Sequence, residues 1–190
     1  FNFKGVHMKK IFLKADKLLE DSFQLGMNVI NSKYEPTIIV VLWRGGAPVG
    51  IAIHELMKFY GFDIEHEVLK TSSYKNLKQS KHIHIDNLDN LINKIVRTDK
   101  LLFIDDIFDS GRTYETVLTA LREEWGDNYP QAIRLATPWF KPNKNKTTLV
   151  PDYYLHETDE WVVFPHEIEG LSNEELREHR GILSREKFCV

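Results

Sequence analysis

Apolar residues at Phe12, Ala15, Leu19, Phe23 and Met27 return every three or four positions, the spacing of one helix face. Tyr34-Glu-Pro36 breaks that pattern, and Thr37 to Leu42 then runs almost wholly apolar, as a strand buried on both faces does. The alternation continues along the chain. Gly46 to Tyr60 predicts a second helix, Phe62 to Leu69 a strand and Leu88 to Val96 a helix. Leu101 to Ile104 predicts a short buried strand after the polar Thr98-Asp-Lys100. Beyond Gly111, the positions Val117, Leu118, Leu121 and Trp125 mark another helix face, so Asp109 to Thr113 must form the turn that joins strand to helix. Gln131 to Trp139 predicts a further strand, with Pro130 breaking the chain before it. Such alternation predicts an α/β fold, a parallel sheet flanked by helices, with ligands bound at the carboxyl ends of its strands. Lys141 to Gly170 loses the rhythm, and Ser172-Asn-Glu-Glu175 is a capping-box pattern that opens a last helix.

The segment Leu101-Leu-Phe-Ile-Asp-Asp-Ile-Phe-Asp-Ser-Gly-Arg-Thr113 carries the most chemistry. An apolar run ends in two carboxylates, and a small-residue turn then opens a helix. The free N–H groups of that helix, the Ser110 and Thr113 hydroxyls and the backbone of Gly111 can wrap a phosphate, whose charge the helix dipole favours. Asp105 and Asp106 are placed to accept hydrogen bonds from neutral hydroxyls or to hold a divalent cation through oxygen.

These residues resemble the thirteen-residue signature of the type I phosphoribosyltransferases, which binds 5-phosphoribosyl-1-diphosphate. Three further segments agree with the resemblance. Ile38-Ile-Val-Val-Leu-Trp-Arg-Gly-Gly46 has the form of the family's pyrophosphate loop, and Thr71-Ser-Ser-Tyr74 matches the loop that covers the reacting centre. Phe140-Lys141-Pro142 and Trp161-Val-Val-Phe-Pro165 stand where members acting on 6-oxopurines carry a lysine and then an aromatic residue that packs on the base.

The resemblance implies a role for each residue. Arg44, Gly45, Gly46, Ser73 and Tyr74 would contact 5-phosphoribosyl-1-diphosphate, with Ser110, Gly111, Arg112 and Thr113 around its 5′-phosphate. Asp105 and Asp106 would face the ribose hydroxyls and a magnesium ion, directly or through water. Asp109 would take a proton near nitrogen 7 of the purine, although a helix N-cap would account for the same aspartate. Lys141 would donate to the 6-oxo group, Trp161 would stack on the base and Val162 would present its backbone to the base edge. His166 departs from the bulky aromatic residue that some relatives carry at that place.

Composition bounds the alternatives. A chain of 190 residues, 42% apolar, supports one core, and the expectation is a single domain over residues 8–190, in which the resemblance implies that 141–170 form a base-binding hood. Residues 1–7, ahead of Met8, read as a tag remnant or an upstream extension. A net charge of −3 with both signs interspersed offers no basic patch for nucleic acid. The single Cys189 rules out an intramolecular disulfide, and no apolar run nears the roughly 20 residues that span a bilayer, so a cytoplasmic location is expected. His82 and His84 would share one face of an extended stretch, without a third metal ligand nearby in sequence.

The resemblance, with the residues that carry it, implies a purine salvage enzyme that transfers the phosphoribosyl group to a 6-oxopurine, hypoxanthine first and guanine or xanthine next. Its partners would be the sugar diphosphate and the base, and the resemblance implies a homodimer or homotetramer. A nucleotide-sensing protein on the same fold, without turnover, is the alternative from another class. A magnesium-dependent phosphatase is a third.

Overall fold

The computed structural model describes residues 9–73, 83–126, 129–130 and 132–181. In chain order the elements begin with β1 (Lys10–Phe12), α1 (Ala15–Asn31), β2 (Ile38–Trp43), α2 (Ala47–Phe59), β3 (Glu65–Ser73), β4 (Ile83–Asp86) and α3 (Leu88–Lys94). There follow β5 (Lys100–Ile104), β6 (Ile107–Phe108), α4 (Arg112–Trp125), β7 (Ala132–Ala136), β8 (Trp139–Phe140), β9 (His156–Glu157), β10 (Trp161–Val163) and α5 (Asn173–Arg180). The chain divides into two compact units, residues 19–159 and residues 1–18 with 160–190, the division falling within α1.

The larger unit is built on a five-stranded sheet of order β4-β3-β2-β5-β7. All of its pairings are parallel except β3 with β4. That antiparallel edge strand departs from the parallel sheet expected, and its sequence, Ile83-His-Ile-Asp86, alternates apolar and polar in the manner of a half-buried strand. The buried strands β2 and β5 sit at the centre, which explains their unbroken Ile, Val, Leu and Phe content. Ile38, Val40 and Leu42 point with Leu101 and Phe103 into one core, closed by Leu91 of α3 and by Tyr114, Val117, Leu121 and Trp125 of α4. On the opposite face α2 packs so closely on β2 that a Cβ at Gly50 would press into the Val41 side chain. Helices therefore cover both faces, as the sequence predicts.

Three local expectations change. Phe12 belongs to β1 rather than to the first helix. In α1 the buried stripe runs through Leu18, Ser22, Leu25 and Val29, while Leu19 and Phe23 are 48% and 38% exposed. Polar residues hid this stripe from a hydrophobicity reading, because Asp21 beside it is buried through the contact of its carboxylate with His156 Nε2 at 2.9 Å. The strand expected from Gln131 to Trp139 ends at Ala136, before Thr137-Pro138, since the residue ahead of a proline is pushed into its own extended geometry. Trp139 and Phe140 instead join a small sheet of order β6-β8-β9.

The smaller unit pairs β1 with β10 in parallel and buries Val163, Leu171 and Leu176. Its helix α5 starts with the capping box read from the sequence. The Ser172 hydroxyl accepts from the Glu175 N–H at 3.2 Å, and the Glu175 carboxylate accepts from the Ser172 N–H at 2.8 Å. Lys10 grips the same carboxylate at 2.7 Å, and this bond, with that from Ser172, holds the Glu175 carboxyl below its ordinary range. Among the described residues no helix is long and apolar enough to cross a membrane.

Candidate active site

The sheet order fixes where a ligand can sit. From β2 the chain passes through α2 to β3 on one side, and it later returns to β5 on the other, so the winding direction reverses between β2 and β5. A crevice opens at the carboxyl ends of strands at such a point. Val41 and Ile104 are register partners there, so the loop 44–46 and the pair Asp105-Asp106 leave the sheet side by side.

Close packing of those two loops depends on glycine. A Cβ at Gly46 would stand 2.5 Å from the Ile104 carbonyl oxygen and 2.9 Å from that of Leu42, which are backbone atoms with no room to yield. At Gly45 it would lie 2.6 Å from Cγ of Asp106, so the Asp106 carboxylate faces the bare backbone of the loop. Arg44 precedes these glycines, exposed, across a cis peptide bond from Trp43. Pro48 in the first turn of α2 then starts the helix.

Two carboxylates this close conflict. Asp106 is 7% exposed. Burial first, and the neighbouring Asp106 charge second, push the Asp105 carboxyl well above the ordinary carboxylate range. The N–H groups of Asp106, at 3.0 Å from Oδ1, and of Gly46 offset only part of this. Tyr114 of α4 lies within the same field: its buried hydroxyl has no hydrogen-bond partner, and burial and then the Asp105 and Asp106 charges drive its ionisation far upward. A hard dication would relieve the conflict, since paired carboxylate oxygens are the donors it prefers. No group of three or more metal-ligating side chains occurs among the described residues, so such an ion would draw its other oxygens from substrate and water.

The turn into α4 follows β6. Gly111 occupies the N-cap position at φ 75°, with no side-chain cap, and the Arg112 N–H reaches the Ser110 hydroxyl at 3.5 Å. The first N–H groups of α4 are thus available to an anion. The N-cap role considered for Asp109 falls to Gly111. Asp109 instead is half-exposed, and its carboxylate lies 3.2 Å from the Lys141 ammonium. Lys141 is buried, 9% exposed, so the unassuming position of a lysine in a polar loop concealed an anchored side chain. Its own N–H donates to the Phe108 carbonyl at 2.9 Å, which brings the loop after β8 against the turn after β6.

The larger unit thus carries Arg44, Gly45, Gly46, Asp105, Asp106, Asp109, Ser110, Gly111 and Lys141 on the loops that leave β2, β5, β6 and β8, with Arg112 and Thr113 in the first turn of α4. Ser73 closes β3, while Tyr74, His82, Met8, Cys189 and residues 1–7 lie outside the described residues. Trp161 and Val162 belong to the smaller unit. Val162 pairs with Ile11 and is buried, and the Lys10 ammonium lies 4.6 Å from the Trp161 ring centroid. His166 stands exposed, its ring stacked near Phe164. Sequence reasoning passed over Tyr114, and also Asn145 and Thr147, which meet Gly111. An aromatic residue in an amphipathic helix and polar residues in a lysine-rich loop carry no signal of their own.

The chain matches the family model for the phosphoribosyl transferase domain over residues 8–172. It is 22% identical over 182 residues to the hypoxanthine-guanine phosphoribosyltransferase of Streptococcus pneumoniae, covering 95% of this chain and 96% of that protein. The fold is similar to that of a purine phosphoribosyltransferase from Pyrococcus horikoshii, with a TM-score of 0.65 and 27% identity over 87% of this chain and 98% of that one. It is also similar to a hypothetical protein from Neisseria gonorrhoeae solved with bound ppGpp, with a TM-score of 0.69 and 18% identity over 93% of this chain and 96% of that one. With the acidic pair, the turn into α4 and the glycine loop all lying within that match, the chain belongs to the phosphoribosyl transferase domain family.

Proposed function

We propose that the protein transfers the phosphoribosyl group of 5-phosphoribosyl-1-diphosphate to a 6-oxopurine, hypoxanthine in the first place, releasing pyrophosphate and a nucleoside monophosphate. One observation carries the choice of base: Lys141 and Asp109 set a donor and an acceptor 3.2 Å apart beside the acidic pair and the phosphate turn. A 6-oxopurine protonated at nitrogen 7 presents the complement on one edge, an oxygen that accepts from the ammonium and an N–H that donates to the carboxylate. Adenine turns an amino group toward Lys141, donor against donor, and is rejected.

The remaining residues divide the sugar diphosphate between them. The N–H groups at the start of α4, with the Ser110 and Thr113 hydroxyls, take the 5′-phosphate. Arg44 and the backbone of Gly45 and Gly46, which carry no side chain to hold a ligand off, take the pyrophosphate. Asp105 and Asp106 accept from the ribose hydroxyls and would hold magnesium, which when bound neutralises the charge of the leaving pyrophosphate. As nitrogen 9 bonds to carbon 1 of the ribose and the bond to pyrophosphate breaks, the proton on nitrogen 7 passes to Asp109. Fixed placement and charge complementarity supply most of the acceleration.

The test is kcat/KM for hypoxanthine, guanine, xanthine and adenine in separate reactions with magnesium and the sugar diphosphate. The reading expects turnover with the oxopurines and at least about a hundredfold discrimination against adenine. Equal use of adenine overturns the assignment of Lys141.

A further inference from the structure

In the turn that opens α4, the N-cap residue Gly111 holds a left-handed φ of 75° with no capping side chain. The Ser110 hydroxyl reaches the Arg112 N–H at a long 3.5 Å. The loop that begins at Lys141 packs against this turn. That loop is tied to the turn at two points: the Lys141 N–H donates to the Phe108 carbonyl and the Lys146 N–H to the Ser110 carbonyl, each at 2.9 Å. Between them the Lys144 and Asn145 N–H groups close a tight bend on the Lys141 carbonyl, at 3.1 and 3.2 Å.

Two side chains complete the strap. Asn145 Oδ1 accepts from the Thr147 N–H and from the Thr147 hydroxyl, both at 3.0 Å, and Asn145 Nδ2 donates to the Leu149 carbonyl at 2.7 Å. The Leu149 N–H donates back to the Thr147 hydroxyl at 3.2 Å. Every polar atom of the two side chains is thereby fixed in place. Both oxygens, with the Phe108 ring, occupy the space where a side chain at Gly111 would lie: a Cβ there would stand 2.8 Å from Asn145 Oδ1 and collide with Thr147 Oγ1.

We propose that Asn145 and Thr147 are positioning residues that set the phosphate turn for the 5′-phosphate of the substrate. This rests on the reading given under Proposed function. Without the two oxygens Gly111 recovers the wide conformational range of a glycine, and the N–H groups it aims lose their common target. The pyrophosphate loop at 44–46 leaves a different strand and is unaffected. Lys141 starts the same strap, so the base-contacting lysine and the phosphate turn form one connected segment.

The experiment titrates ribose 5-phosphate and, separately, pyrophosphate into the wild-type protein, Asn145→Ala, Thr147→Val and Thr147→Ser, with KM for the sugar diphosphate and for the base measured alongside. The expected result is ribose 5-phosphate bound about tenfold more weakly by Asn145→Ala and Thr147→Val, about 1.4 kcal/mol, with KM for the sugar diphosphate raised in step. Pyrophosphate affinity and KM for the base stay within about twofold, and Thr147→Ser, which keeps the hydroxyl, behaves as wild type. Unchanged ribose 5-phosphate affinity in both variants, with normal wild-type turnover, overturns the inference alone. Equal weakening of both ligands with a lowered Tm also overturns it, as general damage to the fold. A wild-type protein that neither binds ribose 5-phosphate nor turns over removes the functional reading and this inference with it.

Discussion

The Lys141 ammonium, buried in a loop after β8, meets the half-exposed Asp109 carboxylate at 3.2 Å, and the two side chains hold each other where a base edge would interpose. In the proposed reaction each has a separate task, so their substitutions differ in kind. Lys141→Met removes a charge-assisted donor and should lower kcat/KM for hypoxanthine by about ten- to a hundredfold while narrowing the gap to adenine. Asp109→Asn should keep the affinity for the sugar diphosphate and lose about a hundredfold or more in kcat. Steady-state kinetics with a direct binding titration separates these outcomes, and a fully active Asp109→Asn enzyme removes that residue from the mechanism.

Gly46 is set against backbone on three sides, so a methyl group there has nothing soft to displace. Gly46→Ala should cost about 1–3 kcal/mol in stability by overpacking. At Gly45→Ala the nearest atoms belong to the Asp106 side chain, which can swing, so this variant should cost less stability while raising KM for the sugar diphosphate. Denaturant unfolding beside initial-rate measurements distinguishes the two.

The crowded acidic pair destabilises the ligand-free protein at neutral pH. Because burial and the Asp106 charge raise the native pKa of Asp105, the native state holds that proton more tightly than the unfolded chain does. The favourable contribution is therefore complete below the ordinary carboxylate range and is lost as the pH rises through the elevated native value. Asp105→Asn should raise Tm at neutral pH, and the gain should shrink as the pH falls toward about 4. Melting curves across that range, with no gain at neutral pH, would contradict the conflict between the two carboxylates.

Tyr114 carries a buried hydroxyl with no partner, set in the field of the same two acids. Deleting an unsatisfied polar atom is neutral or favourable, so Tyr114→Phe should unfold within about 1 kcal/mol of wild type or above it, with the ring stack on Phe108 intact. A loss of several kcal/mol on denaturant unfolding would show that the hydroxyl is bonded after all.

The sheet was legible because its central strands announce themselves: Ile38 to Leu42 and Leu101 to Ile104 are apolar without interruption, as burial on both faces demands. The carboxylates, glycines and small residues of the loops after β2, β5 and β6 were legible for a related reason, since each departs abruptly from such a run. The stripe on α1 was not, because Asp21 is buried through a partner, His156, 135 positions away. The extended stretch through His84 was legible from its alternation, but not that β4 would pair antiparallel, since register partners far apart in sequence leave no local mark. The strap formed by Asn145 and Thr147 stayed hidden for the deepest reason: its meaning depends on Gly111, which only the folded chain brings against it.

Phosphorus NMR of 5-phosphoribosyl-1-diphosphate with the protein and magnesium, recorded before and after hypoxanthine is added, tests the central claim most directly. The account predicts that the diphosphate signals persist without base and convert to free pyrophosphate and a nucleoside monophosphate once it is present. Binding of the sugar diphosphate with no conversion for any purine would contradict an enzyme and leave a ligand-sensing protein built on the same fold.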